Sequence, residues 1–116
     1  MTVKISDVKL RPAFTGRGDE TVEAEVRVGG SRGRAAAPAG ASAGKHEVRH
    51  LPSGGAAEAI RSFDPSRMIG VDASDPRAVT AALRSIDGTR DYSKIGGATA
   101  YAVSVAALEA ASIELG

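Results

Sequence analysis

The alternation of apolar and polar residues between positions 21 and 28 constrains the fold of this chain more than any other feature. Its apolar members are Val22, Ala24, Val26 and Val28, and its polar members are Thr21, Glu23, Glu25 and Arg27. A strand with one buried face requires this pattern, because successive side chains point to opposite faces of a sheet. Gly29-Gly30 follows and can supply the positive φ angles of a tight hairpin turn. We therefore predict a strand over 21–28 and a returning strand over 32–37, which Pro38 ends.

The residues before this hairpin predict one more strand. Val3 to Leu10 is rich in β-branched residues, which favour strands. Arg11 to Asp19 contains a proline and two glycines, which are typical of a connection. The first third of the chain is therefore predicted to be a three-stranded antiparallel meander.

The residues after position 55 follow a helical period instead. Ala56 to Phe63 predicts a short helix. Ser74-Asp75-Pro76 predicts a second helix start, because a capping side chain precedes a proline at the first helical position. Apolar residues then recur at helical spacing until Asp87-Gly88 ends the run.

The segment from Ala98 to Leu115 consists almost entirely of Ala, Val, Leu and Ile. We predict that it is the most buried helix, with large side chains on overlapping faces at Tyr101, Val105, Leu108 and Leu115. A sheet followed by helices predicts the α+β class.

Composition restricts the function classes open to the chain. A length of 116 residues, with 42% hydrophobic and 25% charged residues, predicts one folded domain. The absence of cysteine excludes disulfides and thiolate chemistry. A formal net charge of +1 and few aromatic residues indicate no nucleic-acid partner. The first ten residues have no apolar run long enough for a signal peptide or a membrane span, so we expect a cytoplasmic protein without a membrane partner.

The stretch GASAGKHEVRH, from Gly40 to His50, suggests two chemistries that its context argues against. A phosphate-binding loop needs four residues between its glycines and a Ser or Thr after the lysine, but only three separate Gly40 from Gly44, and His46 follows Lys45. H-E-V-R-H matches the zinc-protease pattern, yet the chain has no third histidine and Pro52 cuts the segment short. We predict that H-E-V-R-H is a polar exposed turn.

The same stretch supports a third interpretation through a family resemblance. Arg34 to Gly44, RAAAPAGASAG, resembles the R-A-A-V-P-S-G-A-S-T-G segment of the enolase (phosphopyruvate hydratase) family. Further segments on both sides resemble the family in the same order along the chain. They are Gly16-Arg17-Gly18, Thr21-Val22-Glu23, Ile86-Asp87-Gly88-Thr89, Ser93 to Ala98, and Ala102-Val103-Ser104. The chain is similar to the amino-terminal domain of that family, which is a three-stranded meander followed by helices.

This resemblance implies a role as a lid. In enolases the amino-terminal domain closes a glycine-flanked loop over 2-phosphoglycerate or phosphoenolpyruvate, and a separate α/β barrel supplies the catalytic residues. The resemblance implies that residues 1–116 form one lid domain without that barrel and without catalytic residues of its own. The loop corresponds to Gly40, Ala41, Ser42, Ala43 and Gly44, and Ser42 corresponds to a ligand of the second magnesium ion. Magnesium is therefore expected only together with a barrel and substrate.

Some positions differ from the family pattern. Ala39 and Ala43 replace a serine and a threonine, Leu51 to Gly54 replaces R-D-G-D, and Thr15-Gly16 replaces D-S. Two hypotheses follow: the chain is the lid of a split or truncated enolase that works with a barrel chain, or it is a free-standing interaction module that kept the fold. Arg11 and Glu23 match positions at the enolase dimer interface, although either could be a solvated surface charge. We expect self-association or capture of a barrel chain, because a lid without its barrel exposes an apolar face.

Overall fold

The chain folds into a three-stranded antiparallel sheet with helices packed on one face, in a computed structural model that describes residues 2–38 and 49–116. The strands lie in the order β1-β2-β3. The elements in chain order are β1 (Ile5–Phe14), β2 (Glu20–Val28), β3 (Ser31–Ala36), α1 (Gly55–Ser62), a 3₁₀ turn (Pro65–Arg67), α2 (Pro76–Asp87) and α3 (Gly97–Leu115). The predicted α+β class, a meander followed by helices, is confirmed.

The alternation in β2 buries one side of the strand as predicted. Val22, Ala24, Val26 and Val28 are each 0% exposed and face the helices. The hairpin turn to β3 has a positive φ of 54° at Gly29 only, and Gly30 has no such angle. This is the pattern of a type II′ turn, whose twist matches that of the two strands.

The boundary predicted for the first strand is wrong. β1 continues beyond Leu10 to Phe14 and contains Pro12, which is paired with Val22. Proline cannot donate a ladder hydrogen bond, so within sheets it is tolerated on edge strands. β1 is an edge strand, because β2 lies between it and β3. The proline therefore marks the position of the strand in the sheet rather than its end.

The start and end of α2 are confirmed. The Asp75 carboxylate accepts hydrogen bonds from the backbone N–H groups of Arg77, at 3.0 Å, and Ala78, at 3.3 Å. Pro76 occupies the first turn, and Gly88 ends the helix with a φ of 75°. These contacts satisfy donors that a helix otherwise leaves unpaired.

The face of α3 that packs on the sheet differs from the predicted one. α3 is the most buried of the described helices, but Tyr101, Val105, Leu108 and Leu115 are all on its exposed side. Its buried side consists mainly of small residues, which are Gly97, Ala98, Thr99, Ala100, Ala102, Val103, Ala106, Ala107, Ala110 and Ala111. Small side chains allow the helix backbone to lie close to the strands.

α3 lies close to the sheet at Gly33 in β3. A β-carbon at this position would lie 2.6 Å from the backbone nitrogen of Ala110 and closer still to the carbonyl oxygen of Ala106. The helix and strand backbones are thus nearly in contact, and glycine is the residue that permits this spacing. Beside this contact, the main core is built from the inner face of the sheet, α2 and α3.

The sheet surface turned away from the helices, here called the outer face, is highly charged. Its charged residues are Asp7, Lys9, Arg11, Glu23, Glu25, Arg27, Arg32 and Arg34. Acids and bases are interspersed along the sequence, but pairing of the strands brings five cationic residues and three acids onto this one surface. β2 and β3 meet here through the directly paired residues Glu25 with Arg34 and Arg27 with Arg32.

By length and composition alone, α3 could cross a membrane, since its most apolar 18-residue window has a mean hydropathy of 1.2. In this structure 44% of that window is buried inside the protein. Core helices of soluble proteins meet the same criterion, so the composition of α3 does not by itself indicate a span.

Candidate functional site

The loop assigned by the sequence, Gly40, Ala41, Ser42, Ala43 and Gly44, lies outside the described residues. His46 and Glu47 of the H-E-V-R-H pattern lie outside them as well. The structure does describe both flanks of segment 39–48. The contacts that hold these two flanks define the candidate site.

The upstream flank is held by a buried hydroxyl. Ala37 follows the last residue of β3 and is buried, and its carbonyl oxygen accepts a hydrogen bond of 2.8 Å from Thr21 Oγ1. Thr21 is itself buried at the start of β2. The predicted alternation placed Thr21 among the polar exposed residues, and this is wrong because its hydroxyl is used to hold the chain as it leaves β3.

The downstream flank is held by the N-terminus of α3. The N–H of Gly97 donates to the carbonyl oxygen of Arg49 at 2.6 Å, and the N–H of Ala98 donates to that of His50 at 2.9 Å. These are helix N–H groups that have no acceptor within the helix. The chain that returns from segment 39–48 thus acts as the backbone cap of α3.

His50 is the only residue of the predicted histidine pair that is described. Its carbonyl caps α3, and both of its ring nitrogens are buried without a hydrogen-bond partner among residues 2–38 and 49–116. This part of the H-E-V-R-H pattern therefore differs from the predicted exposed turn. Within residues 2–38 and 49–116, no three His, Cys, Asp or Glu side chains are grouped so that they could hold a metal ion.

A second contact holds the downstream flank to the segment before α3. The N–H of Arg49 donates to the carbonyl oxygen of Asp91 at 2.9 Å, and Arg49 Nε lies 3.6 Å from Asp91 Oδ2. Hydrogen bonding from Ser93 holds the pKa of Asp91 below its ordinary value, and the charge of Arg49 acts in the same direction. A charged Asp91 favours the ion pair with Arg49.

Gly96 allows the segment before α3 to lie close to the backbone of His50 and Leu51. Its φ is 85°, and a β-carbon would lie 2.7 Å from the His50 carbonyl oxygen and 3.0 Å from the Leu51 α-carbon. Both the backbone angle and the space therefore require glycine. The segment Ser93 to Ala98, which carries part of the family resemblance, contains this residue.

The carboxylate of Asp87 organises segment 88–96, against which Arg49 packs. Asp87 is 2% exposed. Its Oδ1 accepts from the backbone N–H of Thr89 at 2.8 Å and from the Thr89 hydroxyl, and its Oδ2 accepts from Lys94 N at 3.1 Å and Ile95 N at 2.8 Å. The sequence predicted that α2 ends at Asp87-Gly88, and this is confirmed. The pattern gave no sign that the Asp87 carboxylate also accepts hydrogen bonds from residues seven and eight positions later.

Tyr92, in the middle of segment 88–96, has an unusual backbone conformation. Its φ is 57°, a value uncommon for residues other than glycine. The ring is buried beneath the Arg84 guanidinium, whose carbon lies 4.3 Å from the ring centre, and burial raises the pKa of the Tyr92 hydroxyl. A cation over an aromatic face stabilises this arrangement.

The two residues assigned to a dimer interface are close together on the outer face. Arg11 and Glu23 are paired across β1 and β2, and Arg11 Nε lies 3.2 Å from Glu23 Oε1. They satisfy each other's charge within one chain. Their assignment to an interface stays a prediction.

Comparison with known proteins agrees with the fold and with the motifs around the site. Residues 5–116 match the family model described as Enolase, N-terminal domain. The enolase of Pyrobaculum aerophilum is 45% identical over 98% of this chain, that of Methanosphaera stadtmanae 46% over 93%, and that of Halobacterium salinarum 47% over 97%. The chain spans only 27% to 29% of the length of these relatives. It belongs to the enolase family and represents its amino-terminal domain.

Proposed function

We propose that residues 1–116 act as the lid of an enolase, and that segment 39–48 closes over 2-phosphoglycerate or phosphoenolpyruvate bound to a barrel. The observation that carries this proposal is the anchoring of both flanks of that segment. The upstream flank is held by Thr21 and the downstream flank by the N-terminus of α3 and by Asp91. A closing loop needs fixed ends and permissive residues between them, and Gly40 and Gly44 supply the latter.

The proposal includes one magnesium ligand from this chain, the hydroxyl and carbonyl oxygens of Ser42. Magnesium prefers hard oxygen ligands and is often bound together with substrate phosphate, so a serine in a glycine-flanked loop fits the ion chemically. When bound, the ion would stabilise negative charge on the substrate. The other ligands, the catalytic acid and the base would come from the barrel, and we expect no activity from the lid alone.

The exposed side of α3 supports the expectation of a barrel partner. Tyr101, Val105 and Leu108 recur at helical spacing and form an exposed apolar stripe, and Leu108 is 53% exposed. Beside the stripe lies an apolar groove of about 170 Å³ between α2 and α3, lined by Ala73, Pro76, Val79, Thr80, Ser104, Val105 and Leu108. Contiguous apolar surfaces of this kind mark interaction sites. We assign this surface to contact with the barrel part that the relatives contain, in a cytoplasmic enzyme.

A reconstitution experiment tests the lid function. The chain alone should not dehydrate 2-phosphoglycerate in the presence of magnesium, whereas mixing it with the barrel part of a related enolase should give measurable activity. Ser42→Ala should lower that activity by about tenfold or more, because one magnesium ligand is lost. Dehydration is followed by the ultraviolet absorbance of phosphoenolpyruvate, at several magnesium concentrations.

Ser53→Ala is the matched control, because Ser53 is an exposed loop serine downstream of the same segment. It should leave the reconstituted activity unchanged. Activity of the chain alone would contradict the lid proposal. Equal reconstituted activity of Ser42→Ala and the unmodified chain would contradict the magnesium-ligand role of Ser42. No activity on mixing would favour the alternative, an interaction module without a catalytic role, which the loss of family hydroxyls at Ala39 and Ala43 also supports.

The apolar stripe predicts self-association when no barrel is supplied. Sedimentation velocity should show concentration-dependent dimers or larger species for the unmodified chain. Leu108→Glu should shift the population toward monomers, because a charge is placed on the stripe. Ile113→Glu is the control, since Ile113 is similarly exposed but lies about 140° away around the helix. A chain that stays monomeric at high concentration, or equal effects of the two substitutions, would contradict this assignment.

A further inference from the structure

The hairpin between β2 and β3 places two arginines directly opposite each other. Arg27 and Arg32 are paired in register on the outer face, on either side of the Gly29-Gly30 turn. Their side chains are 50% and 60% exposed. Like charges at opposite positions of an antiparallel pair are destabilising unless a negative group offsets them. A negative group near this pair would therefore stabilise the hairpin.

The negative group that the chain itself supplies is shared among four arginines. Glu25 is 6% exposed, and the guanidinium nitrogens around it belong to Arg34 at 3.1 Å, Arg11 at 3.5 Å, Arg32 at 3.8 Å and Arg27 at 3.9 Å. The hydrogen bond from Arg34 is the main reason why the pKa of Glu25 lies below its ordinary value. At the two longest distances, neither Arg27 nor Arg32 is hydrogen-bonded to Glu25. Both keep donors for another acceptor.

No other acid of the described residues forms an ion pair with Arg27 or Arg32 within 4.0 Å. Glu23 is paired with Arg11 at 3.2 Å. Asp7 is the strand partner of Arg27, but the two side chains do not form an ion pair within 4.0 Å. Glu114 lies against Gly29 on the helix side of the hairpin, where its Oε1 accepts a hydrogen bond from the Ser31 hydroxyl at 2.7 Å. The arginine side of the turn is therefore electropositive.

An open hollow lies next to these two arginines. It has a volume of about 230 Å³ and is lined by Arg27, Gly29, Gly30, Ser31 and Arg32. The two glycines have no side chains to fill the space, so a ligand can approach the turn backbone. The guanidinium fork matches the oxygens of a phosphate group, and two guanidinium charges match a phosphate dianion.

We propose that Arg27 and Arg32 form a binding site for a phosphate group at the tip of the β2–β3 hairpin, occupied by inorganic phosphate or by a small phosphate monoester. The site is on the outer face, whereas the lid segment 39–48 begins after the opposite end of β3. It is therefore independent of the proposed lid function.

Phosphate titration of the 116-residue chain tests this site. Amide chemical shifts of Gly29, Gly30 and Ser31 are followed by NMR at constant ionic strength, with chloride replaced by inorganic phosphate. We expect saturable shifts with a Kd on the order of 1 mM. Arg27→Gln and Arg32→Gln should each weaken binding about tenfold, because a charge-assisted pair is lost. Glu25→Gln should tighten binding several-fold, because the competing carboxylate charge is removed.

Arg77→Gln is the matched control, an exposed arginine on α2 away from the hairpin. It should leave phosphate binding unchanged, and thermal melts confirm that each variant is folded. Equal weakening by Arg77→Gln and Arg32→Gln, or identical shifts in chloride alone, would overturn the proposal. Tighter binding of glycerol phosphate than of inorganic phosphate would assign the site to monoesters, and equal binding would assign it to the ion. Binding of a single-stranded oligonucleotide far more tightly than either would overturn it in favour of a nucleic-acid surface.

Discussion

Replacing Gly33 with alanine should destabilise this domain more than any other single methyl addition to the sheet. The added β-carbon would lie 2.6 Å from the backbone nitrogen of Ala110 and even closer to the Ala106 carbonyl oxygen. These are backbone atoms inside a helix, so they cannot rotate away, and α3 would have to move off the sheet. We expect a loss of at least about 3 kcal/mol in the free energy of unfolding, a large part of what a small domain possesses. The midpoint of urea unfolding measures it.

Gly30→Ala is the matched control for this substitution. Gly30 is a neighbouring glycine of the same hairpin, it has no left-handed φ, and a β-carbon there would meet no atom within 4 Å. Its effect should stay within about 0.5 kcal/mol. If Gly33→Ala unfolded at the same urea concentration as Gly30→Ala, the close packing of α3 on β3 would be wrong.

The packing of α3 shows which part of the fold the sequence could not predict. Large apolar side chains are usually taken as the buried face, but here Leu108 and Val105 are exposed and alanines are buried. Apolar residues lie on every side of α3, so its pattern does not identify the face that meets the sheet. The missing information is in β3, where Gly33 makes room for a helix with small residues at the contact. By contrast, the alternation in β2 predicted its buried side correctly, because only one face of that strand is apolar.

The candidate site shows a similar division. The family resemblance includes the segments Ile86 to Thr89 and Ser93 to Ala98, both of which belong to the candidate site. The candidate site also depends on contacts between residues far apart in sequence, which are Thr21 with Ala37 and the N-terminus of α3 with Arg49 and His50. Thr21 and Glu25 were assigned to the exposed side of β2, yet both are buried. A chain carbonyl satisfies the first, and a ring of arginines covers the second. The alternation of polar and apolar residues along β2 carries no information about the groups that contact Thr21 and Glu25.

Asp87→Ala should loosen the segment that supports the downstream flank of the proposed lid. The substitution removes the acceptor for the N–H groups of Thr89, Lys94 and Ile95, and Ile95 is fully buried. Buried donors that lose their acceptor cost about 1–3 kcal/mol each when water cannot replace it. We expect a loss of about 3 kcal/mol in the free energy of unfolding, measured by urea unfolding. Amide hydrogen exchange should become faster at Ile95 and also at Arg49, because Arg49 donates to Asp91 within the same segment.

Two further variants separate this role from that of an ordinary helix-end aspartate. Asp87→Asn keeps one acceptor oxygen, so it should lose roughly half as much stability as Asp87→Ala. Asp75→Ala removes the cap of α2, whose two hydrogen bonds are exposed, and should cost only about 1 kcal/mol without changing exchange at Arg49. Equal losses from Asp75→Ala and Asp87→Ala, with unchanged exchange at Arg49, would show that Asp87 only ends a helix. Faster exchange at Arg49 would instead connect the buried carboxylate, through segment 88–96, to the fixed end that a closing loop requires.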